Sequence, residues 1–190
     1  MLGKMRRMVL IQSQTKLNPG DKAPGFALEG VDGKIYSFKN FTDSEGFLII
    51  FICNHCPYVK AKIDAVVKLH EKFKEKIALI GINSNDPEYS GEGMENMKKF
   101  AQERGILFPY LLDGTQKVAK DYGAVCTPDS FLFDKNLQLV FHGRIDDALE
   151  PGQEVTESTM EENIQNMIEG REISKEHKPS MGCSIKWILS

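Results

Sequence analysis

Apolar residues along this chain fall into a few distinct patterns. After Gly46, Phe47-Leu48-Ile49-Ile50-Phe51-Ile52 is apolar at every position, as in a strand covered on both faces of a sheet. Residues 57–75 switch to a helical period, with Val59, Ile63, Val66, Val67, Leu69 and Phe73 set among Lys and Glu, which predicts an amphipathic helix. Ile77–Ile82 is a second buried strand and completes a βαβ unit. Beyond a polar loop, Asn83–Gly93, the residues Met94, Met97, Phe100 and Ala101 recur at helical spacing. Phe108–Leu112 predicts a short strand and Thr115–Tyr122 a short helix closed by Gly123. Phe131–Phe133 and Leu137–Phe141 form a hairpin turning at Asp134–Asn136, and Thr159–Ile168 is a last helix ended by Gly170. Upstream, Phe26–Glu29 and Ile35–Phe38 flank Asp32-Gly33, a strong hairpin signal. The order predicts an α/β layer structure: a mixed central sheet flanked by helices on both faces, an N-terminal β-hairpin and a C-terminal tail.

Composition narrows this picture. The 190 residues are 41% apolar and 27% charged, with a net charge of −3, a size and balance suited to one globular domain spanning 1–190. Its core is expected over about 18–170 and the tail over 171–190. Ile185 and Trp187 give that tail more apolar surface than a solvated linker carries, so it is expected to dock. No basic stripe marks a nucleic-acid binder. The longest apolar run, Phe47–Cys53, is seven residues, far short of the roughly 20 that span a bilayer. Lys4, Arg6 and Arg7 precede only four apolar residues, Met8–Ile11, too few for a secretory leader. A cytoplasmic protein, monomer or weak dimer, acting on small molecules or proteins is the expectation.

The chemistry concentrates in Cys53-Asn54-His55-Cys56, placed where the buried strand ends and the helix begins. Zinc sites usually pair one C-x-x-C with another or with two His, and none follows here; no metal and no cofactor is expected. Two sulfurs at this spacing can meet in a disulfide. Once it opens, Cys53 is expected at the helix start, where free N–H groups lower a thiol pKa, with Cys56 a turn further in as resolving thiol. His55, when protonated, would add positive charge beside Cys53. The remaining cysteines, Cys126 and Cys183, are candidate accessory thiols, inert or relaying oxidation away from the pair. His70, His142 and His177 share no ligand spacing and are expected to be solvated or structural. Arg144 is a candidate neighbour of the site.

Asp21-Lys22-Ala23-Pro24-Gly25-Phe26-Ala27-Leu28, Asp32-Gly33-Lys34, Cys53–Cys56 and Thr127-Pro128-Asp129-Ser130-Phe131-Leu132-Phe133-Asp134 resemble, in order and spacing, the redoxin group of the thioredoxin-like superfamily. That group holds the TlpA/ResA-like thiol-disulfide oxidoreductases and the alkyl hydroperoxide reductase/thiol-specific antioxidant family. The resemblance implies a thioredoxin-like fold, a cis peptide before Pro128 facing the cysteines, and a Thr127 backbone that pairs with a substrate disulfide segment. It implies disulfide or thiol substrates, protein or small molecule, and a reducing partner.

Departures from the group's patterns matter equally. Ile52 stands where thioredoxins have Trp, Phe47 where they bury an acid, and Val59 where ResA-like proteins have one, which leaves the proton acceptor unassigned. Against the peroxidase pattern, Cys56-Pro57 fits, but Cys53 occupies the Thr position and Pro128 the Arg position. The expected function is thiol-disulfide exchange through Cys53 and Cys56. The alternatives are a thiol-dependent peroxidase and a Cu(I)- or Zn(II)-binding module using Cys53, Cys56 and His55 or Cys126.

Overall fold

The computed structural model describes residues 10–173, 176 and 178–189; Lys4, Arg6, Arg7 and His177 lie outside them. In chain order the elements are β1 (Leu10–Gln12), β2 (Leu28–Gly30), β3 (Ile35–Tyr36), β4 (Gly46–Phe51), α1 (Pro57–Phe73), β5 (Ile77–Asn83), α2 (Met94–Arg104), β6 (Tyr110–Leu112), α3 (Lys117–Tyr122), β7 (Cys126–Thr127), β8 (Asp129–Asp134), β9 (Leu139–Gly143), α4 (Thr159–Ile168) and β10 (Met181–Ser184).

The main sheet runs β3-β2-β6-β5-β4-β8-β9. β4 pairs parallel with β5 and antiparallel with β8, so the all-apolar run forms a strand interior to the sheet, buried along its whole length. Its period-two alternation divides the core. Leu48, Ile50 and Ile52 face α1, α2 and α4 through Val59, Ile63, Met97, Phe100, Met160 and Ile164. Phe47, Ile49 and Phe51 face the other way, onto α3 residues Val118, Ala119 and Tyr122 and onto Phe26 of the N-terminal segment. Helices cover both faces, three against one, and aromatic rings make up the thinner side: Phe51, Tyr122 and Phe131 meet edge-to-face at centroid distances of 5.4–5.8 Å.

Beyond the predicted elements, the structure has a second, smaller sheet, β1-β10-β7. The tail docks by pairing: Cys183 stands opposite both Leu10 and Thr127, and Ser184 opposite Cys126. Past β10, Ile185 N–H donates to Val125 O at 2.8 Å and is buried against the α3 side of the core. Gly182 makes this approach feasible. A Cβ there would lie 2.0 Å from the Thr127 carbonyl oxygen, a separation only backbone movement could relieve.

Gly182→Ala is therefore expected to unseat β10, at a cost of about 1–3 kcal/mol as for other overpacked sites. Urea denaturation measures the loss, and Trp187, the single tryptophan, reports tail release by a red-shifted emission. An unshifted spectrum at wild-type stability would remove the close approach as a constraint.

Candidate active site

The antiparallel β4–β8 register ends with Phe51 opposite Asp129. Carried two residues further, it sets Cys53 against Thr127, and Cys53 Sγ lies 3.1 Å from Thr127 Oγ1. The Thr127–Pro128 peptide is cis, as the resemblance implies. Cys56 Sγ faces the Thr127 carbonyl oxygen at 3.5 Å, and the Cys53 and Cys56 thiols interact directly. Both sulfurs are buried. The backbone edge of Thr127, expected to receive a substrate segment, is paired instead with the chain's own Cys183.

Placement of the helix changes the electrostatics expected of the pair. α1 begins at Pro57, and Cys56 is its N-cap; Cys53 lies three positions upstream, at the strand end. The helix start therefore meets Cys56 rather than Cys53. Interaction with the Cys183 thiol and then with that of Cys53 holds Cys56 far below an ordinary thiol pKa, and the Val59 and Cys183 backbones add to the effect against the opposing cost of burial. Burial pushes Cys53 well up, reinforced by its interaction with Cys56 and by the charge of Glu92. Burial of Cys53 and the contacts of Cys56 both act in the direction of charge on Cys56 rather than Cys53.

Glu92 organises the loop between the cysteines. Its buried carboxylate accepts from Asn54 N–H at 3.2 Å and His55 N–H at 3.4 Å, and from the side-chain amides of Asn54 at 3.2 Å and Asn83 at 2.6 Å. It also meets His55 Nδ1. Tyr110 completes the network by donating to Asn54 Oδ1 at 2.8 Å. The positive charge expected from His55 is thus matched by a carboxylate and does not stand alone beside Cys53. Glu92 reaches this position between Gly91 and Gly93, both at positive φ.

The model of the AhpC/TSA family matches residues 19–142. The chain belongs to the AhpC/TSA family. Within the thioredoxin-like superfamily it falls in the redoxin group, and its fold is the thioredoxin-like one. A crystal structure of an uncharacterized conserved protein from Geobacillus kaustophilus is 41% identical, covers 97% of this chain and 99% of its own, and superimposes with a TM-score of 0.91. A hypothetical protein from Sinorhizobium meliloti is 36% identical over 94% of this chain and 99% of its own, with a TM-score of 0.89. Thiol-disulfide oxidoreductase ResA of Bacillus thuringiensis subsp. konkukian is 25% identical, across 67% of this chain and 70% of that protein.

Phe47 and Val59 are buried apolar residues here, and the buried acid that contacts the loop between the cysteines is Glu92, from the loop before α2. Glu92 was missed in the sequence because it reads as one more charge in a polar loop; its bracketing glycines were the available signal. A Cys53 sulfur, a His55 nitrogen and a Glu92 oxygen lie within 4.8 Å of one another, the one such converging group among the described residues. Cys126 is not part of it. Side chains alternate along a strand, which puts Cys126 and its partner Ser184 on the face away from Thr127 and Cys183, and burial raises its pKa strongly. Arg144 lines the cleft beside Pro128 with Tyr58, Lys62 and Met181, but its guanidinium is engaged by Thr159 at 3.0 Å and Glu157 at 3.1 Å. His142 is structural: Nε2 meets the buried Asp129 at 2.8 Å and the ring stacks on Phe131. His70 is half-buried with its ring edge-on to Phe108.

Truncating Glu92 orphans several buried donors, each costing about 1–3 kcal/mol. Glu92→Ala is expected to lose about 3 kcal/mol or more in urea denaturation, and Glu92→Gln distinctly less. In Glu92→Gln the Cys53 titration shifts to lower pH, because a negative charge opposing its ionisation is gone. Ultraviolet thiolate absorbance against pH reads this, and an unmoved or raised Cys53 transition would refute the coupling.

Proposed function

We propose that the protein is a thiol-disulfide oxidoreductase working through Cys53 and Cys56, with Cys56 as the attacking thiolate and Cys53 as the resolving thiol. The observation that carries this reading is the direct contact of the two sulfurs beside the cis peptide, with the helix start at Cys56. It exchanges the roles expected from the sequence: α1 starts at Pro57, where the periodicity of residues 57–75 put it, and this start caps the helix with Cys56 and leaves Cys53 upstream at the strand end.

Chemically, the Cys56 thiolate attacks one sulfur of a substrate disulfide and the other leaves as a thiolate. Cys53 then gives up its proton and attacks Cys56, expelling the second substrate thiolate and leaving a Cys53–Cys56 disulfide. A dithiol reductant reverses the sequence. The cleft beside Pro128, lined by Tyr58, Lys62, Arg144 and Met181, is the approach that the docked tail leaves for substrate. ResA is named a thiol-disulfide oxidoreductase, which supports the same class here. The sparse cysteines suit a reducing cytoplasm.

Two observations favour other readings. Family membership together with Cys56-Pro57 at a helix start fits a peroxidase, in which the Cys56 thiolate takes an oxygen from peroxide to give a sulfenic acid. The convergence of Cys53, His55 and Glu92 fits a Zn(II) ligand set, although the hydrogen bonds already made by Glu92 compete with such use.

Steady-state reduction of a model disulfide tests the proposal. Cys56→Ser is expected to abolish turnover and to remove the thiolate absorbance that the reduced wild type retains at mildly acidic pH. Cys53→Ser combined with Cys183→Ser is expected to stop at a mixed disulfide on Cys56. A mixed disulfide trapped on Cys53 in Cys56→Ser would restore the roles expected from the sequence. Consumption of hydrogen peroxide faster than disulfide would establish the peroxidase, and stoichiometric retained zinc or copper with neither activity the binding module.

A further inference from the structure

We propose that Cys183 is a third redox thiol of the site, exchanging with the Cys53–Cys56 disulfide to form a Cys56–Cys183 disulfide. This rests on the dithiol reading above and deepens it.

Geometry supplies the first argument. Thr127 is flanked on one side by Cys53, through the β4–β8 register, and on the other by Cys183, through the β7–β10 pairing. Cys56 faces the Thr127 carbonyl between them, and its thiol interacts with those of both Cys53 and Cys183. Cys56 is thus the sulfur common to two contacts, and all three cysteines lie in the same apolar cluster.

The tail holds Cys183 in place. β1 and β7 grip β10 from either side, and beyond it Lys186 N–H donates to Asn85 Oδ1 at 2.8 Å while Gln116 Nε2 donates to the Lys186 carbonyl at 2.8 Å. Ile188 N–H returns a bond to Gln116 Oε1 at 2.8 Å. A thiol anchored against its target reacts at a high effective concentration. Gly182 belongs to this arrangement, since any side chain there would force the strand away from Thr127.

Electrostatics gives the exchange its order. Interaction with Cys56 is the largest cause of the raised Cys183 pKa, followed by burial and by the Cys56 charge; Lys186 acts in the opposite sense. Once Cys56 is drawn into a disulfide its charge is gone, while burial continues to oppose ionisation of Cys183 and the Lys186 ammonium to favour it. Cys183 is therefore less restrained when Cys56 is oxidised than when it is reduced.

The step balances without any added oxidant. Cys183 gives up its proton and its sulfur attacks Cys56 Sγ. The Cys53–Cys56 bond breaks, and Cys53 leaves as a thiolate that takes up a proton. One disulfide replaces another, and the tail becomes covalently tied to the start of α1.

Full-length reduced protein, treated with one equivalent of 4,4′-dithiodipyridine, acid-quenched, alkylated and digested without reduction, is mapped by mass spectrometry. Wild type is expected to give both Cys53–Cys56 and Cys56–Cys183 peptides. In Cys53→Ser the pyridyl mixed disulfide on Cys56 should collapse onto Cys183 at least about tenfold faster than it decays in Cys53→Ser/Cys183→Ser. Quantitative Cys53–Cys56 in wild type, with Cys183 always recovered alkylated, overturns the proposal and leaves the dithiol reading intact. Absence of any Cys56 disulfide in wild type overturns both, and the wild-type map decides even if Cys53→Ser does not fold.

Discussion

The pairing register of β4 with β8 is the constraint on which the site depends. Gly46 opposite Asp134 through Phe51 opposite Asp129 is an unbroken antiparallel ladder between two strands whose side chains fill both halves of the core. A slip of one residue would turn every side chain of β4 to the wrong face, exchanging Leu48, Ile50 and Ile52 for Phe47, Ile49 and Phe51. The hydrophobic effect therefore sets the register, at about 1.5–3 kcal/mol for each fully buried large apolar side chain. That same register delivers Cys53 to Thr127. The apolar side chains of β4 thus set where the cysteines sit, and the cysteines are themselves buried in the same cluster.

What the core cannot supply is the conformation of the loop between the cysteines. Asn54 and His55 lie past the end of β4 and before α1, where neither ladder nor helix takes up their N–H groups. Glu92 accepts from both. A buried carboxylate is costly unless hydrogen-bonded, and these donors, with the amides of Asn54 and Asn83, are what offset the burial. Loop and carboxylate are thus mutually dependent. The same charge that fixes the loop also opposes ionisation of Cys53, so positioning and electrostatics come from one group.

Legibility in the sequence follows the range of the interactions involved. β4, α1 and β5 are long, periodic and stabilised by their own apolar faces, and they appear where the pattern puts them. β1, β7 and β10 are two to four residues long, below the length at which periodicity registers. Met181-Gly182-Cys183-Ser184 carries a glycine that lowers its strand propensity, and that glycine is required only because Thr127 lies so close. The motifs around Cys53 and Pro128 located the site, while the assignment of charge between its sulfurs was not legible. It turns on Cys56, not Cys53, capping a helix that starts at Pro57 as the period predicts, and on a contact with Cys183 that local pattern does not register. Cys183 contributes from far along the chain, through a tail whose docking the sequence suggested and whose register it did not.

Two opposing terms set the charge of Cys56, and both act on the reduced state. Its contacts with the Cys183 and Cys53 thiols and with the Val59 and Cys183 backbones stabilise a thiolate, and a thiolate exists only in the reduced protein. Each such contact favours reduction and makes any disulfide formed at Cys56 a stronger oxidant. Burial works against the charge and so in the opposite direction. Because β10 provides both the thiol and a backbone contact, displacing the tail would remove part of the stabilisation while wetting the sulfur. The reactivity of Cys56 is in this way linked to whether the C-terminal strand is seated, and the link passes through a backbone approach that only glycine at position 182 permits.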